Sequence, residues 1–197
     1  MLERAAEVIR RGGIIALPTD TLYGLGVDPF NADAVRRVFD VKGRQGERAL
    51  PLIAADLAQI VNQIGPLSEL ARRLATRFWP GPMTLLIEAP PALAGDVAGG
   101  TGRIGVRVPA HVVARGLCAA CDRPLTATSA NLSGEPASED PDEVARSLGD
   151  HVDLLVDAGR TPGGAPSTIV DATGAEPRLV RPGAIAWDDV QACMRRA

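Results

Sequence analysis

Ile14-Ile15-Ala16-Leu17-Pro18-Thr19-Asp20-Thr21 decides the fold class, because four apolar residues end abruptly in a proline followed by three short polar side chains. An apolar run of that length beside turn residues reads as a buried strand that delivers its polar tail to a loop. Upstream, Leu2, Ala5, Ala6 and Ile9 share one helical face, and Gly12-Gly13 stops that helix before the strand begins. The same alternation continues outward. Asn31 is placed to cap a helix carrying Ala34, Val35, Val38 and Phe39 that ends near Gly43. Leu67, Leu70, Ala71, Leu74 and Phe78 mark another, closed by Trp79-Pro80-Gly81-Pro82.

Strands are expected at Met83 to Ile87, Ile104 to Val108, Leu125 to Thr128, Val152 to Val156, Ser167 to Val170 and Leu179-Val180. Between them lie an apolar helix from Val112 to Cys121, a helix started by Asp140-Pro141-Asp142-Glu143 as a capping box, and a final helix from Trp187 to Arg196. Helices interspersed with buried strands imply a layered α/β domain. The two loosest stretches, Glu88 to Arg103 and Gly159 to Ala165, are too short and too apolar to be linkers, so residues 1–197 read as a single domain. The first of them reads as a long surface loop with a functional or mobile role.

Composition narrows the function. Aromatic residues make up 3% of the chain and the net charge is −3, which argues against base-stacking platforms and against a basic face for nucleic acid. No apolar run reaches the ~18 residues of a membrane span, and Met1-Leu2-Glu3-Arg4 lacks the pattern of a secretory signal, so a cytoplasmic protein without membrane contact is expected. Cys118, Cys121 and Cys193 are odd in number. The Cys118-Ala119-Ala120-Cys121 spacing lies in an apolar helix without a second pair, and structural thiols are the expectation, with no metal site.

A phosphate-binding Gly-Lys-Ser/Thr loop is ruled out, because the chain has one lysine, Lys42, against twenty arginines. The nucleophile elbow of hydrolases and the His-Glu-x-x-His helix are also missing. Hydroxyl, amide and cationic groups instead follow the strands: Thr19, Asp20, Thr21 and Tyr23; Lys42 and Arg44; Thr128, Ser129, Asn131 and Ser133; Ser167 and Thr168; Arg181. Ligands bind beyond strand ends in open α/β sheets. Cations and hydroxyls without an obvious nucleophile suit an anionic ligand held by position and charge. Each group taken alone has a plainer reading, as a turn residue bonding its own backbone or as a strand arginine paired with a carboxylate.

Seven blocks in order resemble the YrdC-like family, the L-threonylcarbamoyladenylate synthases. They are Pro18 to Gly26, Lys42-Gly43-Arg44, Trp79 to Leu85, Gly105 to Pro109, Ser129 to Gly134, Pro166 to Asp171 and Arg181 to Ile185. The resemblance implies a three-layer α/β domain around a twisted, mixed β-sheet with a concave basic cavity. It implies synthesis of L-threonylcarbamoyladenylate from L-threonine, bicarbonate and ATP with release of pyrophosphate, and Mg2+ is expected to accompany ATP as the reaction's cofactor.

By position in those blocks, the resemblance assigns Lys42 and Arg44 to catalysis, and Thr21, Ser167 and Arg107 to threonine. Arg44, Arg48, Ser129, Asn131 and Arg181 would contact the nucleotide, with Tyr23 as a wall residue. The chain departs from many relatives at Gln45, where a proline is usual, and at Arg48, where a lysine or asparagine is usual. The implied partners are the transferase proteins that carry the threonylcarbamoyl group to tRNA, with at most a weak contact to RNA. A non-catalytic RNA-binding or ribosome-associated protein on the same fold is the alternative, since a fold alone does not set activity.

Overall fold

The computed structural model describes residues 1–43 and 49–195. Helix α1 (Leu2–Arg10) buries Ala5, Ala6 and Ile9, the face that their spacing predicts. It leads into β1 (Ile15–Leu17), every residue of which is buried. Strand β2 (Gly24–Gly26) returns antiparallel, pairing Ile15 with Gly26 and Leu17 with Gly24. Two glycines hide this strand from any reading of apolar alternation. A side chain at Gly26 would lie 2.8 Å from Leu17, so the close approach of neighbouring groups requires the glycine.

Helix α2 (Ala32–Val41) is capped by Asn31, whose side chain accepts from the N–H groups of Asp33 and Ala34. Gly43, at φ 59°, follows its end in the left-handed region. Strand β3 (Leu52–Ile53) and α3 (Leu57–Gln63), capped by Asp56, fall where no element is expected from periodicity, since each is too short to carry a pattern. Then come α4 (Glu69–Phe78), β4 (Met83–Glu88), β5 (Arg103–Arg107) and α5 (Val112–Ala120). The stretch between β4 and β5 is no loose surface loop. It makes a short 3-10 turn at Gly95–Ala98, buries Val97 completely, and accepts the Leu50 N–H on the Val97 carbonyl.

The expected strand at Leu125 to Thr128 divides into β6 (Leu125–Thr126) and β7 (Thr128–Ser129). After α6 (Pro141–Leu148) the chain adds β8 (Leu154–Leu155), β9 (Thr168–Asp171), β10 (Arg178–Arg181) and α7 (Trp187–Arg195). The capping box at α6 is only half formed. Asp140 accepts from the Asp142 N–H, while Glu143 takes the Ser138 hydroxyl instead of the Asp140 backbone.

Among the described residues the strands form two mixed sheets rather than one. The smaller has the order β7-β2-β1-β8 and the larger β10-β9-β4-β5-β3-β6. The break in β6–β7 at Ala127 carries the chain from one sheet to the other. Thr126 anchors this corner: its N–H donates to the Val27 carbonyl and its hydroxyl accepts from the Val27 N–H, both at 3.0 Å.

Strand alternation sorts the interior into two layers of apolar packing. Ile15, Leu17, Ile53 and Leu125 join Ala5, Ala6 and Ile9 of α1 and Ala114, Leu117 and Cys118 of α5. Ile14, Ala16 and Leu52 face the other way, into a core with Val35 and Val38 of α2, Leu74 of α4, Val144 of α6 and Val190 of α7. Helices thus cover the sheets from two sides, the layered arrangement expected. Cys118 is fully buried and Cys121 nearly so. Burial pushes both thiols up, Cys121 to about 11, and both serve as packing groups.

Candidate active site

One face of the larger sheet carries the site. On β4, Met83, Leu85 and Ile87 enter the core, and the alternate residues Thr84 and Leu86 line a cavity of about 450 Å³. Gly105 and Arg107 of β5 and Ile169 of β9 line it by the same alternation. Gly105 keeps this floor low, because a side chain there would come 2.8 Å from the Thr84 methyl. The smaller sheet and the loop after β1 complete the wall with Thr19, Thr21, Gly24, Thr128 and Ser129. The volume suits a small organic ligand. Its charged lining among the described residues is Arg107 and Arg181, without a carboxylate.

Hydroxyls are grouped in two places. Thr19 donates to the Leu22 carbonyl at 2.7 Å and lies 3.1 Å from the Thr21 hydroxyl, which stiffens the turn after β1. Thr161 donates to the Thr21 carbonyl and Gly163 N–H does the same, so the loop past β8 braces that turn from outside. Opposite, the hydroxyls of Thr84 and Ser167 are 2.8 Å apart, and Arg181 donates to the Ser167 carbonyl at 2.7 Å and its hydroxyl at 3.1 Å. Gly183 permits this approach, since an added Cβ would stand 2.5 Å from the Thr168 nitrogen.

The cations differ in their surroundings. Arg107 is 7% exposed, and its Nη1 lies 3.4 Å from an Asp20 oxygen. Burial draws its pKa down, Asp20 opposes that, and Arg181 adds to it. Burial also lowers Arg181. Both guanidiniums stay charged at neutral pH, as arginine does in proteins.

Lys42 stands behind the wall rather than in it. It is 1% exposed, and its ammonium donates to the Ser129 carbonyl at 2.5 Å, the Asn131 carbonyl at 3.0 Å and Asn131 Oδ1 at 2.9 Å, with Ser129 Oγ at 3.3 Å. Asn131 is equally engaged: its Oδ1 also accepts from Ser129, and its Nδ2 donates to the carbonyls of Leu132 and Glu135. Of the residues assigned to ligands, Thr21, Ser129, Ser167, Arg107 and Arg181 line one cavity, whereas Lys42 and Asn131 support it. Tyr23 reaches the wall, and its buried hydroxyl, pushed up in pKa by burial, donates to the Gly159 carbonyl at 2.7 Å. Arg44, Arg48 and the departure at Gln45 lie outside the described residues. Thr84 received no role from the sequence, although a single polar residue in an otherwise apolar strand was a readable sign of a face turned from the core.

Residues 7–183 match the Sua5/YciO/YrdC family model, which carries the description telomere recombination. The chain is 36% identical to threonylcarbamoyl-AMP synthase of Bacillus subtilis over 97% of its own length and 56% of the relative's. It is 41% identical to the synthase of that name from Halorhodospira halophila, over 79% of this chain and 81% of that one. The structure of Sua5 from Pyrococcus abyssi complexed with L-threonine superposes with a TM-score of 0.93 at 35% identity, covering 98% of this chain and 57% of that one. The chain therefore spans about half the length of some relatives it matches and most of others.

Proposed function

The chain belongs to the Sua5/YciO/YrdC family, and from that premise we propose that it makes L-threonylcarbamoyladenylate from L-threonine, bicarbonate and ATP, releasing pyrophosphate and water. The observation that carries this reading is the cavity itself, where two hydroxyl groups, Thr19 with Thr21 and Thr84 with Ser167, face a space bounded by Arg107 and Arg181. An amino acid needs such a mixture of donors and positive charge around its carboxylate and hydroxyl. The likeness to a relative solved with L-threonine supports the choice of amino acid.

In the proposed reaction the threonine nitrogen bonds to the carbon supplied by bicarbonate, and a carbamate forms with loss of water. A carbamate oxygen then attacks the α-phosphorus as the bond to the β-phosphate oxygen breaks, and pyrophosphate leaves. Every reacting species is an anion. Fixed cations and hydroxyl donors offset that repulsion and align the two partners, which is where this chain contributes. Arg107, Ser167 and Thr21 hold threonine, and Arg181 and Ser129 meet the nucleotide, with Arg44 and Arg48 assigned to it by motif alone. Lys42 and Asn131 act through Ser129.

Magnesium enters as MgATP, a substrate. No group of three or more His, Cys, Asp or Glu side chains among the described residues is placed to hold a metal, and magnesium commonly binds through phosphates and water instead. No helix among the described residues is long and apolar enough to cross a membrane. We further propose that the product passes to transferase proteins that modify tRNA and that the activity is cytoplasmic.

The test is pyrophosphate release from MgATP with and without L-threonine and bicarbonate, with Lys42→Ala as control. Release that needs both substrates and is lost in the variant is the expected result. RNA binding without threonine-dependent release would overturn the proposal.

A further inference from the structure

Asp20 sits between Thr19 and Thr21, both of which line the cavity, yet its own side chain is only 9% exposed. Neither carboxylate oxygen has a hydrogen-bond partner, and both are buried. The nearest charge is Arg107 Nη1 at 3.4 Å, itself buried without an acceptor. His111, at the start of α5, also faces Asp20 electrostatically and holds its buried Nδ1 without a partner. Three elements thus bring a carboxylate, a guanidinium and an imidazole together without one hydrogen bond among the atoms named.

Stability does not explain this. Buried polar atoms are nearly always hydrogen-bonded, and a buried ion pair lacking such bonds recovers little of its desolvation cost. What the arrangement does provide is a counter-charge. Arg107 is pressed by its burial and by the like charge of Arg181. The Asp20 carboxylate offsets both at 3.4 Å without taking a hydrogen bond from Nη1, and a guanidinium fork left so pairs well with a carboxylate in two parallel bonds.

We propose that Asp20 is a positioning residue for the threonine step: it holds the Arg107 guanidinium by charge, so that Arg107 meets the substrate carboxylate in one fixed orientation. This rests on the function proposed above. Asp20 does not touch substrate; it acts through Arg107.

The experiment compares Asp20→Asn, Asp20→Glu, Arg107→Met and the Asp20→Asn/Arg107→Met double variant by threonine calorimetry and by pyrophosphate release. Asp20→Asn should raise KM for threonine about tenfold or more and leave KM for ATP within about twofold, since small misplacements of an orienting group are costly. Asp20→Glu, which keeps the charge, should recover part of the loss. In the Arg107→Met background, Asp20→Asn should have no further effect. Losses that multiply in the double variant would mean that Asp20 acts independently of Arg107, and an unchanged threonine KM in both Asp20 variants would also overturn the proposal. If Asp20→Asn fails to fold, Asp20→Glu alone decides: a raised threonine KM at an unchanged melting temperature supports positioning, and an unchanged KM sinks it. Wild-type protein that binds no threonine would remove the parent function and this inference with it, a result distinct from all the others.

Discussion

Lys42 illustrates how a single residue type is chosen by its neighbours. Its ammonium meets several oxygens of Ser129 and Asn131 around one nitrogen, three of them carbonyl or amide oxygens within 3.0 Å. Three tetrahedral donors on a compact head fit that cluster, and the planar fork of arginine does not. Lys42→Arg should therefore fail to rescue what Lys42→Met loses. Both variants should lower unfolding free energy by about 3 kcal/mol, the scale of charged hydrogen bonds lost with buried acceptors left behind. Urea denaturation followed by tryptophan fluorescence measures this. A fully stable Lys42→Arg would mean that the lysine is there for its ligand and not for the wall.

At the scale of elements, the corner between β6 and β7 brings the two sheets to one cavity. Thr126 is wholly buried and its hydroxyl serves the Val27 N–H at 3.0 Å and the Leu25 carbonyl at 3.3 Å. Valine has nearly the same shape and no hydroxyl, so Thr126→Val should leave the Val27 N–H unsatisfied and cost about 2 kcal/mol. Thr126→Ser should keep most of that. Thermal melting of the two variants separates the hydrogen bond from the packing, and equal melting temperatures would show that the corner does not depend on the hydroxyl. Strands β2 and β3 and the corner were the least legible features, because two or three residues carry no period and two of the three in β2 are glycine. The longer strands β4 and β5 were legible for the opposite reason.

For the whole molecule, acid stability can be tied to Asp171, where β9 lies between β4 and β10. Burial pushes its carboxyl up, but the Thr173 hydroxyl at 2.6 Å, the Thr173 N–H, Arg103 and Arg178 more than offset that, leaving the pKa below its ordinary value. A carboxyl with a lower pKa folded than unfolded stabilises the protein above the unfolded pKa, near 3.9, and loses that contribution as pH falls through the folded value. Asp171→Asn should thus cost about 1–2 kcal/mol at pH 7, a modest figure because both arginines are largely exposed and screened, and the difference from wild type should vanish in strong acid. Urea midpoints across pH test it; a difference independent of pH would assign the effect to packing. By itself the sequence determined the alternation of helix and strand, the caps at Asn31 and Asp140, and the family, since these rest on periodicity, turn chemistry and short ordered motifs. Only the tertiary structure decided that Lys42 and Asn131 lie behind the wall, that Thr84 faces the cavity and that Asp20 stands against Arg107. Those facts depend on which face of a strand is covered and on contacts between residues as far apart as Asp20 and Arg107, and no local pattern encodes either.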